Sequence, residues 1–165
     1  RFVGPLRSMR FDHQAEPTAT PDGARRGILY GAAAISTCVA EVFQEARFID
    51  RARGEPWLVA FELRRAVRLL DLRGRWPTAA GASMAINTGP RDRARRWSRR
   101  IYEDYPAAEG LWYASSMDAN RPAFALYERA ADALPTHPAF HHPLDDPSLQ
   151  GPLTAIADEL NYALD

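Results

Sequence analysis

The sequence predicts an α+β fold in a single domain that spans residues 1–165. Strand-like and helix-like segments are intermixed along the chain, without the regular strand–helix alternation of a doubly wound parallel sheet. The 165 residues, 46% of them hydrophobic, suit one compact domain that buries roughly 70% of its unfolded surface. The sequence contains no internal repeat that would divide it further.

The first segments comprise an extended run, a loop and a buried strand. Leu6 to Phe11 alternates loosely between apolar and polar residues, which predicts a strand. Residues 13–26 contain two prolines, a glycine and charges of both signs, a composition typical of a loop. Gly27 to Tyr30 then predicts a short buried strand.

A helix is predicted from Ser36 to about Ala46. A serine hydroxyl at the N-cap can satisfy a backbone N–H of the first helical turn. The core-facing side is predicted from apolar residues at the i, i+3, i+4, i+7 spacing: Val39, Val42, Phe43 and Ala46. Glu41 lies off this stripe, so we expect it to face solvent or a cleft.

The middle of the chain predicts a hairpin followed by helices. Trp57 to Leu63 and Val67 to Leu72 are the clearest strands, and a turn-like Arg64-Arg65-Ala66 separates them. Helices are predicted around Thr78 to Ile86 and from Pro90 or Arg91 to about Tyr105. Proline suits the start of the second helix because its missing N–H is not needed there.

The C-terminal part predicts two strands, a loop and a helix. Gly110 to Ala114 and Ala123 to Tyr127 are the strands. Pro135 to Pro152 contains five prolines and predicts an ordered loop or tether. A terminal helix is expected over Leu153 to Leu164.

Charge and composition exclude several classes of protein. All 21 basic residues are arginine and 21 acidic residues balance them, so there is no overall attraction to nucleic acid or anionic membranes. Six arginines lie between Arg91 and Arg100. Because Trp97, Ile101 and Tyr105 recur there at helical spacing, we interpret the cluster as the solvated face of a helix. Nucleic-acid binding and an acidic partner surface are the alternative interpretations.

Cysteine and histidine usage indicates no disulfide and no metal site. Cys38 is the only cysteine, and we interpret it as an inert packed thiol. No apolar run approaches the ~20 residues of a membrane span, so we expect a cytoplasmic protein without membrane contact. No metal is expected, because the histidines do not form a compact ligand pattern: His13, His137, His141 and His142.

Four candidate site residues lie in separate segments of the chain. They are Arg10, Tyr30 in Ile28-Leu29-Tyr30-Gly31-Ala32, Glu41 in Ser36-Thr37-Cys38-Val39-Ala40-Glu41-Val42-Phe43, and Ser115 in Trp112-Tyr113-Ala114-Ser115-Ser116. The order Arg, Tyr, Glu, Ser resembles the RES family, the NAD-consuming toxins of RES-Xre toxin–antitoxin modules. The resemblance is clearest over residues 6–134. It includes Leu69-Leu70-Asp71-Leu72, Gly81 to Ile86, Gly110 to Ser115, Asn120 and Ala125-Leu126-Tyr127.

The resemblance implies a fold similar to ADP-ribosyltransferase toxins, with a central, mostly antiparallel sheet flanked by helices. It implies NAD as the substrate, bound in a cleft without a Rossmann fingerprint, and none of the ten glycines forms Gly-x-Gly-x-x-Gly. It also implies an Xre-type helix-turn-helix antitoxin as partner and allows a protein acceptor of ADP-ribose. A homo-oligomer is possible.

The resemblance and the chemistry together assign a role to each residue. Cleavage of the nicotinamide–ribose bond develops oxocarbenium character, which Glu41 would stabilise. Tyr30 would stack on the nicotinamide ring, and an arginine would bind the pyrophosphate through paired hydrogen bonds. Ser115 would hydrogen-bond the ribose or hold the Glu41 carboxylate.

The arginine assignment is open among Arg10, Arg7 and Arg26. Many family members carry a Gly-Gly-Arg-Trp-like run where this chain has Ser8-Met9-Arg10-Phe11. If Leu6 to Phe11 is a strand, Met9 and Phe11 face the core and Arg10 is free to reach a cleft. This pattern favours Arg10 over Arg7.

Each candidate also has an ordinary structural interpretation. Tyr30 can be a core tyrosine at a strand end, Glu41 a solvated helix carboxylate, and Ser115 a residue that bonds local backbone. Their combination favours an NAD-consuming toxin. The alternative function is a catalytically inactive RES-type domain that serves as a protein-binding module.

Overall fold

The computed structural model describes residues 9–14 and 26–165. The strands are β1 (Ile28–Ala32), β2 (Phe48–Ile49), β3 (Trp57–Ala60), β4 (Leu69–Asp71), β5 (Gly110–Ala114), β6 (Pro122–Tyr127), β7 (Phe140–Pro143) and β8 (Ala163–Leu164). The α-helices are α1 (Ile35–Val42), α2 (Trp76–Ala79), α3 (Ala85–Thr88), α4 (Arg91–Asp104) and α5 (Gln150–Leu160). Two 3₁₀ helices cover Glu128–Ala133 and Pro147–Leu149.

A four-stranded sheet in the order β1-β6-β5-β4 forms the centre of the fold. β6 pairs antiparallel with both β1 and β5, whereas β4 pairs parallel with β5. The sheet is therefore mixed. The predicted combination of strands and helices in one domain is confirmed.

One face of the central sheet packs against α4 and the segment that contains Phe11. The fully buried side chains here are Phe11, Ile28, Leu72, Ile101, Leu111, Ala125 and Tyr127. Helix α4 has the predicted bounds within a residue, and its buried stripe runs through Ala94, Ser98 and Ile101. Its outer face is charged and carries ion pairs at i, i+4 spacing, so the predicted amphipathic helix is confirmed.

A second core fixes α1 at the end of the sheet. Val39 on α1 packs with Ile49, Leu144, Leu149, Leu153 and Ala157. Leu153 and Ala157 belong to α5, which begins three residues before the predicted start and ends at Asn161 in the left-handed conformation, with φ of 52°. Pro147–Leu149 and α5 thus hold α1 from the side opposite to the central sheet.

The predicted hairpin between Trp57 to Leu63 and Val67 to Leu72 is wrong. Strand β3 pairs antiparallel with β7, and β4 pairs parallel with β5. Arg64 does not close a tight turn, because its N–H donates to the carbonyl of Ala133 at 2.8 Å. The proline-rich segment, predicted as a loop, contributes β7, which ends at Pro143 on an edge where no ladder N–H is needed.

The predicted helix from Ser36 to Ala46 begins and ends differently. The N-cap is Ala34 and the helix stops at Val42, while Ser36 lies buried in the first turn. Val39 is buried as expected, but Val42 is 70% exposed. The buried side of α1 therefore includes small and polar residues, Ser36, Thr37 and Ala40, that a search for an apolar stripe does not select.

The predicted helix over Thr78 to Ile86 is two short helices, α2 and α3. Gly81 lies between them with φ of 79°, a left-handed conformation that glycine adopts without strain. After this break, α3 and the start of α4 lie near the end of β5.

The N-terminal strand prediction falls partly outside the described residues. Leu6 to Ser8, including Arg7, lie outside them, as do residues 15–25 of the predicted loop. Residues 9–11 form a bend and turn. Phe11 is fully buried as predicted, but Met9 is 37% exposed, so its predicted place in the core is wrong.

Within residues 9–14 and 26–165, no helix combines the length and the hydropathy needed for a transmembrane span.

Candidate active site

A cavity of about 510 Å³ lies where the end of α1, the end of β5, the start of α4 and residues 9–10 meet. Arg10, Tyr30 and Glu41 line it, and the Ser115 hydroxyl donates a hydrogen bond to the Glu41 carboxylate. The structure therefore brings together all four residues that the sequence predicted for the site.

Ser115 fixes the orientation of the Glu41 carboxylate. Its hydroxyl donates to Oε1 of Glu41 at 2.6 Å and accepts the N–H groups of Met117 and Asp118, each at 3.1 Å. Because two N–H donors occupy the hydroxyl oxygen, its proton is directed at Glu41. Ser115 is fully buried. Of the two predicted roles for Ser115, the geometry matches the one that holds the carboxylate.

The turn between β5 and β6 also anchors α1 one helical turn before Glu41. Thr37 Oγ1 donates to Oδ2 of Asp118 at 2.6 Å. Arg121 Nη1 donates to Ser36 Oγ at 3.1 Å. Because Thr37 and Glu41 are four residues apart, they lie on the same face of α1. The β5–β6 turn thus fixes both helix α1 and Glu41, the candidate catalytic residue.

The β5–β6 turn has a strained backbone. Ala119 and Asn120 adopt φ values of 45° and 61°, in the left-handed region that non-glycine residues seldom occupy. Strain of this kind persists only where the surrounding contacts determine the conformation. Here those contacts include the buried Asp118 carboxylate and the Ser115 hydroxyl.

Arg10 lies in the cavity wall beside the start of α4. Its Nη1 donates to the carbonyl of Gly89 at 2.5 Å. Burial lowers the pKa of Arg10, the charge of Arg91 lowers it further, and the Glu41 carboxylate acts in the opposite direction. A guanidinium stays charged in any folded protein, so the cavity contains a fixed positive charge close to Glu41.

Tyr30 positions the segment that contains Arg10. Its hydroxyl oxygen accepts the backbone N–H of Phe11 at 2.9 Å. Burial raises the pKa of Tyr30 well above its usual value, so the phenol stays neutral. The partner of the Tyr30 hydroxyl is therefore the residue next to Arg10.

Arg26 lies elsewhere. Its Nη1 donates to the carbonyl of His13 at 3.2 Å, its Nη2 pairs with Glu103 at 3.5 Å, and its guanidinium stacks 4.5 Å from the centre of the Tyr102 ring. Arg7 is outside the described residues. Of the two candidate arginines that the structure describes, Arg10 lines the cavity and Arg26 does not.

Sequence analysis missed three residues that line the cavity: Asn87, Arg91 and Tyr113. Arg91 was noticed only as part of the arginine cluster. Its position directly after Pro90, at the start of a predicted helix, was a usable signal, because helix N-termini attract anions. The side chain of Arg91 donates to Gln44 Oε1 at 3.3 Å.

Asn87 presents an unsatisfied acceptor. Its Nδ2 donates to the carbonyl of Leu72 at 3.0 Å, which fixes the amide orientation. The oxygen of the same amide group, Oδ1, is buried and has no hydrogen-bond partner among the described residues. No sequence pattern distinguishes this asparagine from one in a surface turn.

The charged groups of the cavity are arranged by sign. Among the described residues, two arginines, Arg10 and Arg91, line the side next to α4, and two glutamates, Glu41 and Glu45, line the side formed by α1 and the residues after it. Two guanidiniums at a helix start suit a phosphate-bearing ligand. A held carboxylate suits a centre that becomes positive during reaction.

A larger cavity, about 880 Å³, lies on the other face of the sheet. Its walls are mainly apolar, with Leu58, Trp112, Phe124 and Leu153 among them, and no charged side chain of the described residues lines it. Its lining includes no carboxylate and no guanidinium. The smaller polar cavity is therefore the candidate site despite its size.

Among the described residues, no group of three or more histidine, cysteine, aspartate or glutamate side chains is arranged to hold a metal ion.

Comparison with known proteins identifies the family. The model of the RES domain matches residues 2–149 of the 165-residue chain. No curated protein and no solved structure matched the chain. The family match covers every residue of the cavity described above. The chain therefore belongs to the RES domain family.

Proposed function

We propose that this chain is an NAD-consuming enzyme that cleaves the bond between nicotinamide and ribose. RES domains are generally linked to NAD-related toxin–antitoxin systems. The observation that carries the proposal is the Glu41 carboxylate, held by Ser115 at 2.6 Å in the same cavity as Arg10. An anion-binding guanidinium and a fixed carboxylate are the two groups that this reaction requires.

The reaction begins with departure of nicotinamide. The bond from the nicotinamide nitrogen to the ribose C1′ breaks, and both electrons pass to the ring nitrogen, which leaves neutral nicotinamide. The ribose acquires oxocarbenium character, which the negative charge of Glu41 stabilises. Ser115 keeps this carboxylate in place, so little reorganisation is needed at the moment of reaction.

The second stage transfers ADP-ribose to an acceptor. A nucleophilic atom of water, phosphate or a protein side chain forms a bond to C1′, and any proton that this atom carries passes to solvent. Arg10 and Arg91 hold the pyrophosphate during this stage, so the ADP-ribose unit stays oriented. The choice of acceptor depends on what enters the cavity beside Glu41.

We place the chain in a toxin–antitoxin module that acts in the cytoplasm, where it meets NAD. The neutralising partner would be an Xre-type helix-turn-helix protein that covers the cavity. Two exposed apolar side chains, Met9 and Val42, lie at the cavity and would suit such a contact. Partner binding that left NAD access and turnover unchanged would contradict occlusion.

The likeness to ADP-ribosyltransferase toxins forms part of this proposal. It is supported by a cavity at the edge of a small mixed sheet and by a sequence without Gly-x-Gly-x-x-Gly. Neither feature suits hydride transfer on a Rossmann domain.

The alternatives have less support. An inactive protein-binding module would not need a carboxylate fixed by a fully buried serine. A nucleic-acid interface on α4 would need free arginines, yet Arg96 and Arg100 pair with Asp92 and Asp104 on the same helix.

The proposal is tested by incubating the purified protein with NAD labelled in its adenosine half. Nicotinamide, ADP-ribose, phosphorylated ADP-ribose and labelled protein are then separated. Release of nicotinamide supports the proposal, and the labelled product identifies the acceptor. Absence of turnover with water, phosphate and cell-extract proteins would favour the binding module.

A further inference from the structure

Tyr113 differs from every other tyrosine of the chain in what its hydroxyl contacts. The other five hydroxyls each have a hydrogen-bond partner in the protein: those of Tyr30, Tyr102, Tyr105, Tyr127 and Tyr162. The Tyr113 hydroxyl forms no hydrogen bond with any residue in 9–14 or 26–165. The oxygen is not among the fully buried side-chain atoms that lack a partner, so the Tyr113 hydroxyl is accessible from the cavity that this residue lines.

The position of Tyr113 suggests where its partner belongs. Tyr113 is only 6% exposed, lies near the end of β5 two residues before Ser115, and lines the candidate active site. Its ring packs against Phe11, with centroids 4.8 Å apart. Phe11 directly follows Arg10, so the Tyr113 ring connects the segment with Arg10 to the strand that leads to Ser115.

The hydroxyl of Tyr113 is electrostatically coupled to both charged ends of the site. Burial raises the pKa of Tyr113, the Glu41 carboxylate raises it further, and Arg10 acts in the opposite direction. The phenol is therefore neutral and can donate a hydrogen bond as well as accept one.

We propose that Tyr113 is a substrate-binding residue whose hydroxyl hydrogen-bonds the ribose–phosphate part of the nicotinamide half of the dinucleotide. This inference rests on the proposed function, in which Arg10 binds the pyrophosphate and Glu41 faces the ribose. A hydroxyl beside both groups lies along the part of the ligand that joins phosphate to C1′. That part carries ribose hydroxyls and phosphate oxygens, both of which accept a hydrogen bond.

Tyr113→Phe tests the inference without disturbing the protein's own hydrogen bonds. The variant loses one oxygen that no described protein atom uses, so its Tm should stay unchanged. The dissociation constant for ADP-ribose and KM for NAD should each rise about three- to tenfold, as expected when one hydrogen bond to the ligand is lost.

Tyr127→Phe is the matched control. The Tyr127 hydroxyl contacts Ser98 Oγ at 3.3 Å inside the core, away from the cavity. This variant should show a lower Tm with unchanged ADP-ribose affinity, the reverse of Tyr113→Phe. If Tyr113→Phe behaves like Tyr127→Phe, or binds ADP-ribose as tightly as the wild type, the inference is wrong.

Nicotinamide as a product inhibitor locates the contact. It lacks ribose and phosphate, so it should inhibit wild type and Tyr113→Phe equally. Weaker inhibition of the variant by nicotinamide, with ADP-ribose affinity intact, would overturn the assignment to the ribose–phosphate part. A wild-type protein that neither binds ADP-ribose nor consumes NAD would overturn the proposed function and this inference together. Wild-type turnover with an unaffected variant would overturn this inference alone.

Discussion

Thr37 and Glu41 lie one helical turn apart on α1, and both are held by the same turn between β5 and β6. Thr37 bonds to Asp118 at 2.6 Å, and Glu41 accepts the Ser115 hydroxyl at 2.6 Å. The backbone of that turn donates to the same serine. The Glu41 carboxylate is therefore held by a connection between a helix and a strand end, which is the support that a precise site needs.

Ser115→Ala should reduce both stability and turnover. The change leaves the N–H groups of Met117 and Asp118 without their acceptor in a partly buried turn, which costs about 1–3 kcal/mol in the free energy of unfolding. It also frees the Glu41 carboxylate to move. Denaturant unfolding and kcat/KM for NAD measure the two effects. Ser148→Ala, which removes the hydroxyl of an exposed serine bonded locally to Asp146, is the control. Wild-type kcat/KM in Ser115→Ala would show that the serine does not position Glu41.

Arg10→Ala should raise KM for NAD about ten- to hundredfold, as expected for the loss of hydrogen bonds to a charged group. Arg26→Ala is a matched control, since its guanidinium contacts His13, Glu103 and Tyr102 instead of the cavity. Steady-state kinetics of both variants check the assignment. A normal KM for Arg10→Ala combined with inactive Arg26→Ala would mean that the wrong arginine was chosen.

Acid should loosen the segment that contains Arg10 through Glu128. Burial alone would raise the pKa of this carboxyl, but hydrogen bonds from His13, Tyr102 and the Gly27 N–H outweigh it and lower the pKa to about 2 from 4.5. Because the folded-state pKa is depressed, the stabilisation is complete above about pH 5 and is lost as pH falls toward 2. The shift corresponds to about 3 kcal/mol at most.

Unfolding free energies measured between pH 2 and 6 test this claim. Glu128→Gln should be less stable than the wild type at pH 6 and should show a flatter dependence on pH below 5. Asp146→Asn provides the comparison. The pKa of Asp146 is also lowered to about 2, but this residue lies far along the chain from residues 10–14. An unchanged pH dependence in Glu128→Gln would exclude this carboxyl as the cause.

Local patterns in the sequence predicted the elements that local interactions determine. β5, β6 and α4 were predicted within a residue or two, because their apolar periodicity reports directly on one buried face. The pairing of β3 with β7 was not predictable, since it joins segments about 80 residues apart and depends on packing over the sheet. Likewise, Ser36 was predicted as an N-cap because a local sequence pattern does not include its tertiary partner, Arg121.

The candidate site was predictable only through the family resemblance. Glu41 lies off the apolar stripe of α1, yet any solvated glutamate does the same, and nothing local distinguishes Tyr30 from a core tyrosine. Tyr113 was missed because alternation along β5 marks it as a buried residue, which it is. The sequence does not show that the Tyr113 hydroxyl lacks a hydrogen-bond partner among the described residues, because this depends on where its neighbours lie in the fold.

The most direct test of the account compares NAD consumption by the wild type and Glu41→Gln, with Glu62→Gln as a control at an exposed site. The glutamine keeps the size of the side chain and can still accept the Ser115 hydroxyl, so the fold and the ADP-ribose affinity should be retained. Loss of the charge should lower kcat by about a hundredfold or more, as for other groups that stabilise a transition-state charge. Wild-type turnover in folded Glu41→Gln would contradict the central claim that this carboxylate drives cleavage.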